Sequence, residues 1–351
     1  MSAPKKRAGG SRAQPQRASS AAPAPSSRGR RLALFGLLAA LGLAGYFAWR
    51  ARASADSASR ASGAPPIPAP AVADLEVPVQ EILAQSRQHL LDHPDSAEAW
   101  GWYAAVLDAH HFSREAEPCY RRAHELDARD VRYSYNLAVL LELLGADPAE
   151  CVALFRSVAT LKPDYPPVHA RLGQALLRQG DSRAALAAFD RALELDPKLW
   201  IVRRVRARTW IDLDEPQRAI PELEAIAVQF PADAPTQAAL AQARTAAGDT
   251  AGAEAASQRA RAKTDLLSLP DPLQFLVIQQ GRSSRQLSTR AASRAAEGDW
   301  AGAAQDLQLL LRTRAQDPSV HERLAEAYRK LGQASLAERS AATARALRGG
   351  Q

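Results

Sequence analysis

The sequence predicts an all-α fold, a solenoid of helix-turn-helix repeats preceded by one transmembrane helix. From Ala97 to the C-terminus, a pattern of small and large residues recurs seven times at about 34 residues. Two slots of small residues stay in phase through all seven copies. The first slot holds Ala104, Ala138, Gly173, Ala207, Ala241, Ala291 and Ala325; the second holds Ala116, Cys151, Ala185, Ala219, Ala253, Ala303 and Ala337. Helix pairs that touch at such slots bury their apolar faces by stacking on their neighbours, which predicts the solenoid.

The clearest copy extends from Pro166 to Leu199 and shows how one repeat is built. Two helices meet at Gly180-Asp181, and the side chains of Leu172, Leu176 and Phe189 fill the space between them. This spacing resembles the tetratricopeptide repeat (TPR), and the resemblance covers the chain from about residue 77 onward. It implies a TPR-type α-solenoid whose first helices line a concave groove that grips extended peptides or helices.

Some residues depart from this pattern. Arg206 and Arg290 occupy slots that elsewhere hold a large apolar residue. Residues 266–283 fit no repeat, although Asp271-Pro272 predicts the start of a helix, since Asp caps helices and Pro favours the first helical position. We expect this segment to be a connector packed on the solenoid; the alternative is a docking or dimerisation element.

The predicted organisation has seven parts. They are a basic disordered cytoplasmic tail (1–31), a transmembrane signal-anchor helix (32–49), a linker rich in Ala, Ser and Pro (50–76), a capping helix or degenerate repeat (77–96), repeats one to five (97–265), the non-repeat connector (266–283), and repeats six and seven (284–351).

The net charge of +7 belongs to the N-terminal tail. Ten of the 45 Lys and Arg residues precede Asp56, the first acidic residue of the chain. The rest of the chain has 35 basic and 38 acidic residues, so the repeat region is close to neutral. The basic balance therefore does not predict nucleic-acid binding.

An uncharged apolar run from Leu32 to Trp49 predicts a membrane-spanning helix. It would be about 27 Å long, close to the hydrocarbon thickness of about 30 Å. Most of the nearby basic residues precede the run, so the positive-inside rule places the repeats across the membrane. We expect a single-pass bacterial inner-membrane protein with its repeats in the periplasm. The alternatives are a cleavable signal peptide ending at Ala53–Ala55, a twin-arginine signal, and a mitochondrial presequence.

Small residues four positions apart predict a packing face on this transmembrane helix. They are Gly36, Ala40, Ala44 and Ala48. Small residues at that spacing let two helices approach closely in lipid. The alternative is that the stripe follows from a composition rich in Ala and Gly.

The chain lacks the motifs that carry catalysis. It has no glycine-rich phosphate loop, nucleophile elbow, zinc-protease motif or C-x-x-C pair. We therefore expect no enzymatic activity, no catalytic residue, no metal and no cofactor. His89 and His93 lack a third ligand, and His169 fills a packing slot. Cys119 and Cys151 fall on second helices of adjacent copies, either as buried thiols or as a disulfide.

The candidate partner-binding residues lie on the first helices of copies two to four. They are Tyr135, Asn136, Arg171, Arg178, Arg204 and Arg208. Arg204 and Arg208 are four apart and share a helix face. Guanidinium groups bind carboxylates in a bidentate manner, which predicts a partner with an acidic segment. The alternative is that these arginines pair with acidic residues of the chain itself.

Taken together, the sequence predicts a membrane-anchored periplasmic scaffold that binds a protein or peptide partner in its groove. The layout resembles TPR proteins of envelope assembly, secretion or cytochrome maturation. One alternative is a self-assembling, homo-oligomeric protein joined through the membrane stripe and residues 266–283. A second alternative is the targeting subunit of an enzyme complex.

Overall fold

The computed structural model describes residues 65–262 and 264–349, and these residues are helical throughout their regular structure. They form sixteen α-helices and one short 3-10 turn at Ala260–Ala262. Fourteen of the helices form seven antiparallel pairs, and α1 and α12 stand outside the pairs.

The helix bounds are as follows: α1 Val77–Asp92, α2 Ala97–Ala109, α3 Ser113–Leu126, α4 Val131–Leu144, α5 Pro148–Leu161, α6 Pro166–Gln179, α7 Ser182–Leu195, α8 Trp200–Asp212, α9 Pro216–Gln229, α10 Ala234–Ala246, α11 Thr250–Arg259, α12 Pro272–Ile278, α13 Ser284–Ala296, α14 Trp300–Leu311, α15 Pro318–Lys330 and α16 Ala334–Gly349.

The third pair shows why the chain turns where it does. Gly180 ends α6 with a φ of 88°, a left-handed conformation that closes a helix at little cost only for glycine. Asp181 then begins α7, because its carboxylate accepts a hydrogen bond from the Ala184 N–H at 3.0 Å. Pro197 lies between α7 and α8, where its ring prevents the helix from continuing.

The two small slots are buried in all seven pairs, which confirms the predicted repeat. At Gly173 the helices approach so closely that an added Cβ would lie 2.4 Å from the Phe189 ring. The buried apolar residues form three clusters along the chain, one spanning pairs one to three, one pairs four and five, and one pairs six and seven. The predicted all-α solenoid is therefore the observed architecture.

A hydrogen bond recurs near the start of the first helices. His169 Nε2 lies 2.9 Å from the Pro163 carbonyl oxygen, and His321 Nε2 lies 2.9 Å from that of Ala315. Side chains at the matching positions of other pairs donate to the carbonyl six residues earlier: Trp100 to Pro94, Arg203 to Pro197, and Gln237 to Pro231. The two histidines thus tie α6 and α15 to the turns that precede them.

Arg206 and Arg290 are accommodated by acidic residues at a matching position. Arg206 Nη2 lies 2.6 Å from Glu222 Oε1, and Arg290 Nη2 lies 2.6 Å from Asp306 Oδ1. Each acid follows its arginine by 16 residues. In four other pairs that position holds a small residue: Cys119, Ala188, Ala256 and Ser340. An arginine–carboxylate pair therefore replaces a large–small pair in repeats four and six.

The two cysteines are packing residues in this structure. Cys119 and Cys151 lie on α3 and α5, and both are buried free thiols. Burial raises the pKa of the Cys119 thiol, and its Sγ lies 3.4 Å from the Glu115 carbonyl oxygen.

The predicted location, a single-pass protein of the bacterial inner membrane with periplasmic repeats, is corrected by the structure. Among residues 65–262 and 264–349, no helix is long and apolar enough to cross a bilayer. The longest of these helices, α1 and α16, have 16 residues each, whereas a span needs about 20 apolar residues. The predicted transmembrane segment 32–49, with its packing face at Gly36, Ala40, Ala44 and Ala48, lies outside the described residues.

Candidate partner-binding groove

We call the surface of the first helices α4, α6, α8 and α10, together with the residues that cap their N-termini, the groove. The chain itself crosses this groove with residues 264–278, which include α12 and which we call the inner segment. It starts at α10, where the Ala234 N–H donates to the Thr264 carbonyl oxygen at 2.7 Å. It ends against α2 and α4, which α12 contacts. The inner segment therefore leads the chain back from the fifth repeat toward the first.

Asp271 is the most strongly held residue of the inner segment. Its carboxylate accepts hydrogen bonds from the hydroxyls of Tyr135 at 2.5 Å and Tyr165 at 2.8 Å. Arg171 Nη2 lies 3.7 Å from the same carboxylate. Burial, together with the charge of Asp271, raises the pKa of both tyrosines, so their hydroxyls remain neutral donors. Two hydroxyls and one guanidinium thus converge on a single carboxylate.

A second carboxylate of the inner segment lies on Arg204. Arg204 Nη1 is 3.0 Å from Asp265 Oδ1 and 2.8 Å from Asp233 Oδ2, and its side chain is only 8% exposed. Burial alone would raise the pKa of Asp233, but hydrogen bonds from Thr236, the Leu266 N–H and Arg204 outweigh it and lower that pKa. The groove arginine is therefore shared by a permanent partner, Asp233, and by Asp265.

The inner segment buries one apolar face and leaves another exposed. Leu273 and Val277 are 8% and 2% exposed, and Leu273 joins the core of repeats one to three. On the opposite face of α12, Phe275, Leu276 and Ile278 are about half exposed, at 51%, 48% and 53%. Its helix α12 is thus held by the Asp271 carboxylate and by two buried apolar side chains.

The predicted site residues fall into three groups. Tyr135 and Arg171 meet at Asp271, and Arg204 contacts Asp265 one helix further along. Arg178 pairs with Glu142, which also lies 3.7 Å from Arg171.

The remaining two candidates make no such contact. Arg208 is exposed on α8. Asn136 is 5% exposed, and its Oδ1 has no hydrogen-bond partner among the described residues.

Three important residues were not among the sequence-based candidates. Asp271 was interpreted only as a helix cap, a role that it does fill by accepting from the Gln274 N–H at 3.2 Å. Asp265 and Tyr165 carried no motif at all. The signal that could have found the two aspartates is their position where the repeat pattern ends, since carboxylates there can pair with arginines of the first helices.

After the inner segment, repeat six contacts α1 and α2 at the start of the described chain. The Ser284 N–H and hydroxyl donate to Glu76 Oε2 at 2.6 Å and 2.8 Å. Gln286 donates to the Ala109 carbonyl oxygen at 2.6 Å, and Arg312 pairs with Glu81. An open cleft of about 810 Å³ lies beside these contacts, and its lining includes Leu75, Val79, Phe275, Ile278, Arg285 and Arg294.

Comparisons with known proteins bear on this architecture. A tetratricopeptide repeat family model matches residues 105–166 and 171–238. No curated protein matches the chain in sequence.

Several solved structures are similar to the chain. YrrB, described as a TPR protein with an unusual peptide-binding site, is 16% identical with a TM-score of 0.45, over 56% of this chain and 97% of that chain. MamA is 16% identical with a TM-score of 0.43, over 54% and 100%. A tetratricopeptide repeat protein from Parabacteroides merdae is 13% identical with a TM-score of 0.46, over 72% and 99%. The family match and the stacked helix pairs support the tetratricopeptide repeat superfamily for this chain.

Proposed function

We propose that this chain is a protein-interaction scaffold that binds an extended acidic segment of a partner protein in its groove. Stacked repeats of this kind create extended binding surfaces. The observation that carries the proposal is the position of Asp271, whose carboxylate accepts hydrogen bonds from Tyr135 and Tyr165. A carboxylate of a partner segment would bind the same donors.

The donors favour a carboxylate over a neutral group. Hydrogen bonds to an ionised acceptor are roughly twice as strong as those between neutral groups. Arg171 adds a positive charge, and its side chain is 25% exposed, so solvent screens this charge only partly. An amide in place of the carboxylate would lose the charge and could accept at only one of its two polar atoms.

The groove offers a second position for a carboxylate at Arg204. Asp265 and Asp271 are six residues apart, which in an extended chain spans at most about 20 Å. Between them Leu267 and Leu269 pack against the cores of the repeats. We therefore expect the partner segment to carry two carboxylates at this separation with apolar residues between them. Arg178 and Arg208 lie exposed on the same helices, where we place further acidic residues of the partner.

A peptide copied from the inner segment provides the probe. It comprises residues 264–273, Thr-Asp-Leu-Leu-Ser-Leu-Pro-Asp-Pro-Leu, with a fluorescent label. The receptor is the full chain with Asp265→Asn and Asp271→Asn, which weakens the hold of the inner segment on the groove. We expect this receptor to bind the acidic probe, measured by fluorescence anisotropy. A probe with both aspartates replaced by asparagine should bind at least tenfold more weakly.

Two arginine variants of this receptor test where the probe binds. Arg171→Gln removes a guanidinium from the groove and should weaken binding of the acidic probe at least tenfold. Arg191→Gln removes an exposed arginine from the second helix α7, and should leave binding unchanged. Equal binding of the acidic and amide probes, or no binding of either, would contradict the proposed function.

A further inference from the structure

The inner segment occupies the surface on which we place the partner. Its two carboxylates lie on Arg204 and near Arg171, the arginines that the partner would need. We propose that the inner segment is an internal competitive ligand, which keeps the groove closed until an acidic partner segment displaces it. This inference rests on the proposed function, because it concerns the regulation of the same site.

The order of the inner segment depends on the groove. Its only helix, α12, has seven residues, and isolated helices of that length are not stable in water. The Leu273 N–H donates to the Tyr165 hydroxyl at 3.1 Å, and the Leu266 N–H donates to Asp233 Oδ1 at 2.8 Å. These backbone groups find their partners on side chains of the groove. A competing segment could satisfy the same side chains and leave the inner segment to water.

Displacement would expose few fully buried apolar side chains, since Leu267 and Leu269 are only partly buried. Only two large side chains of α12, Leu273 and Val277, are buried, while Phe275, Leu276 and Ile278 are each about half exposed. A partner that buries more apolar surface in the groove would therefore have an advantage over the inner segment. Of the groove side chains that hold Asp271, Tyr135 and Tyr165 belong to the core of repeats one to three.

The inner segment is anchored at both ends, which makes the competition intramolecular. At its start Thr264 pairs with the backbone at Asp233 and Ala234. Just after α12, Arg290 Nη1 donates to the carbonyl oxygens of Gln279 at 3.0 Å and Gly281 at 2.8 Å. A tethered ligand acts at a high effective concentration. The apparent affinity for a partner is therefore the intrinsic affinity multiplied by the fraction of molecules whose groove is open.

The affinity of the acidic probe for two forms of the full chain tests this inference. The Asp265→Asn/Asp271→Asn form should bind the probe at least tenfold more tightly than the wild-type chain, because its internal competitor lacks both carboxylates. The control is Glu194→Gln/Glu254→Gln, which makes the same change in charge at two exposed residues of the second helices α7 and α11. That control should bind the probe with wild-type affinity.

Hydrogen exchange on the wild-type chain gives a second readout that needs no variant. At saturating probe, the amides of Leu266 and Leu273 should lose protection, because their acceptors in the groove are taken. Equal affinity for the wild-type and double-variant chains, or unchanged protection at saturation, would overturn the internal competition while leaving the proposed function standing. A probe that binds neither form would overturn both.

Discussion

Asp108 is a carboxyl group in the last turn of α2, where the structure gives it little access to solvent. Burial raises its pKa from 3.8 to about 6, and the nearby His111 offsets this only in part. A carboxyl group whose pKa is raised by folding binds its proton more tightly in the folded state. Its charge therefore destabilises the fold above pH 6, and this penalty is relieved as the pH falls from about 6 to about 4.

Replacing Asp108 with Asn should stabilise the protein at neutral pH. The change removes a charge that is unfavourable in the folded state, and we expect a gain of roughly 1–3 kcal/mol at pH 7. The gain should shrink below pH 6 and vanish near pH 4, as measured by urea denaturation at each pH. Asp212→Asn, at an exposed position of α8, is the control. A gain that stays constant with pH would show that packing, not charge, is the cause.

At the scale of the helix, the arginine–acid pairs of repeats four and six replace an apolar contact. Arg206 binds Glu222 through two nitrogens, and the Glu222 side chain is only 8% exposed. Removing one member of a buried pair leaves the other charge without compensation, whereas replacing both is often neutral. Asp306 differs from Glu222, because besides Arg290 it also binds Arg294, at 2.9 Å.

A double-mutant series on Arg206 and Glu222 tests this view. Arg206→Leu alone should destabilise the fold by about 3 kcal/mol, because Glu222 remains buried with only the distant charge of Arg203, at 4.0 Å, beside it. Adding Glu222→Ala creates the large–small pair of the other repeats and should recover most of the loss. Arg191→Leu, which breaks an exposed pair with Glu194, should change stability by under about 1 kcal/mol. No recovery in the double variant would contradict the argument.

The helix pairs could be predicted from the sequence because their signals are local. Gly180-Asp181 and Pro197 mark helix ends within one repeat. The small residue Gly173 indicates close contact with the next helix, α7, which carries Phe189. The path of the inner segment could not be predicted in this way. Asp271 meets Tyr165 at a separation of 106 residues and Tyr135 at 136, and nothing in its local sequence encodes those contacts.

The groove arginines also show what could not be predicted from the sequence. Arg171 and Arg204 were predicted to face carboxylates, and the structure places carboxylates of the chain itself on them. The residue type indicated the chemistry of the surface. It could not indicate whether the acid comes from this chain or from a partner, since that depends on where residues 264–278 lie.

At the scale of the whole molecule, contacts between distant repeats set this chain apart from a simple solenoid. In most repeat proteins each repeat touches only its neighbours, so parts of the array unfold independently. Here Ser284 contacts Glu76 across 208 residues, and Gln286 contacts Ala109 across 177. These contacts link repeat six to α1 and α2, while the inner segment links both to the groove. We therefore expect the repeats to unfold together.

Glu76→Ala combined with Gln286→Ala should break this coupling. The change removes the acceptor of the Ser284 N–H and hydroxyl and the donor to the Ala109 carbonyl oxygen. Hydrogen exchange in increasing urea should then show residues 284–349 opening before residues 97–262, whereas in the wild-type chain both regions open in one transition. The matched control is Glu81→Gln, because its pair with Arg312 is exposed and is screened by solvent. Separate transitions in the wild-type chain, or coincident ones in the double variant, would show that the repeats are not coupled through these contacts.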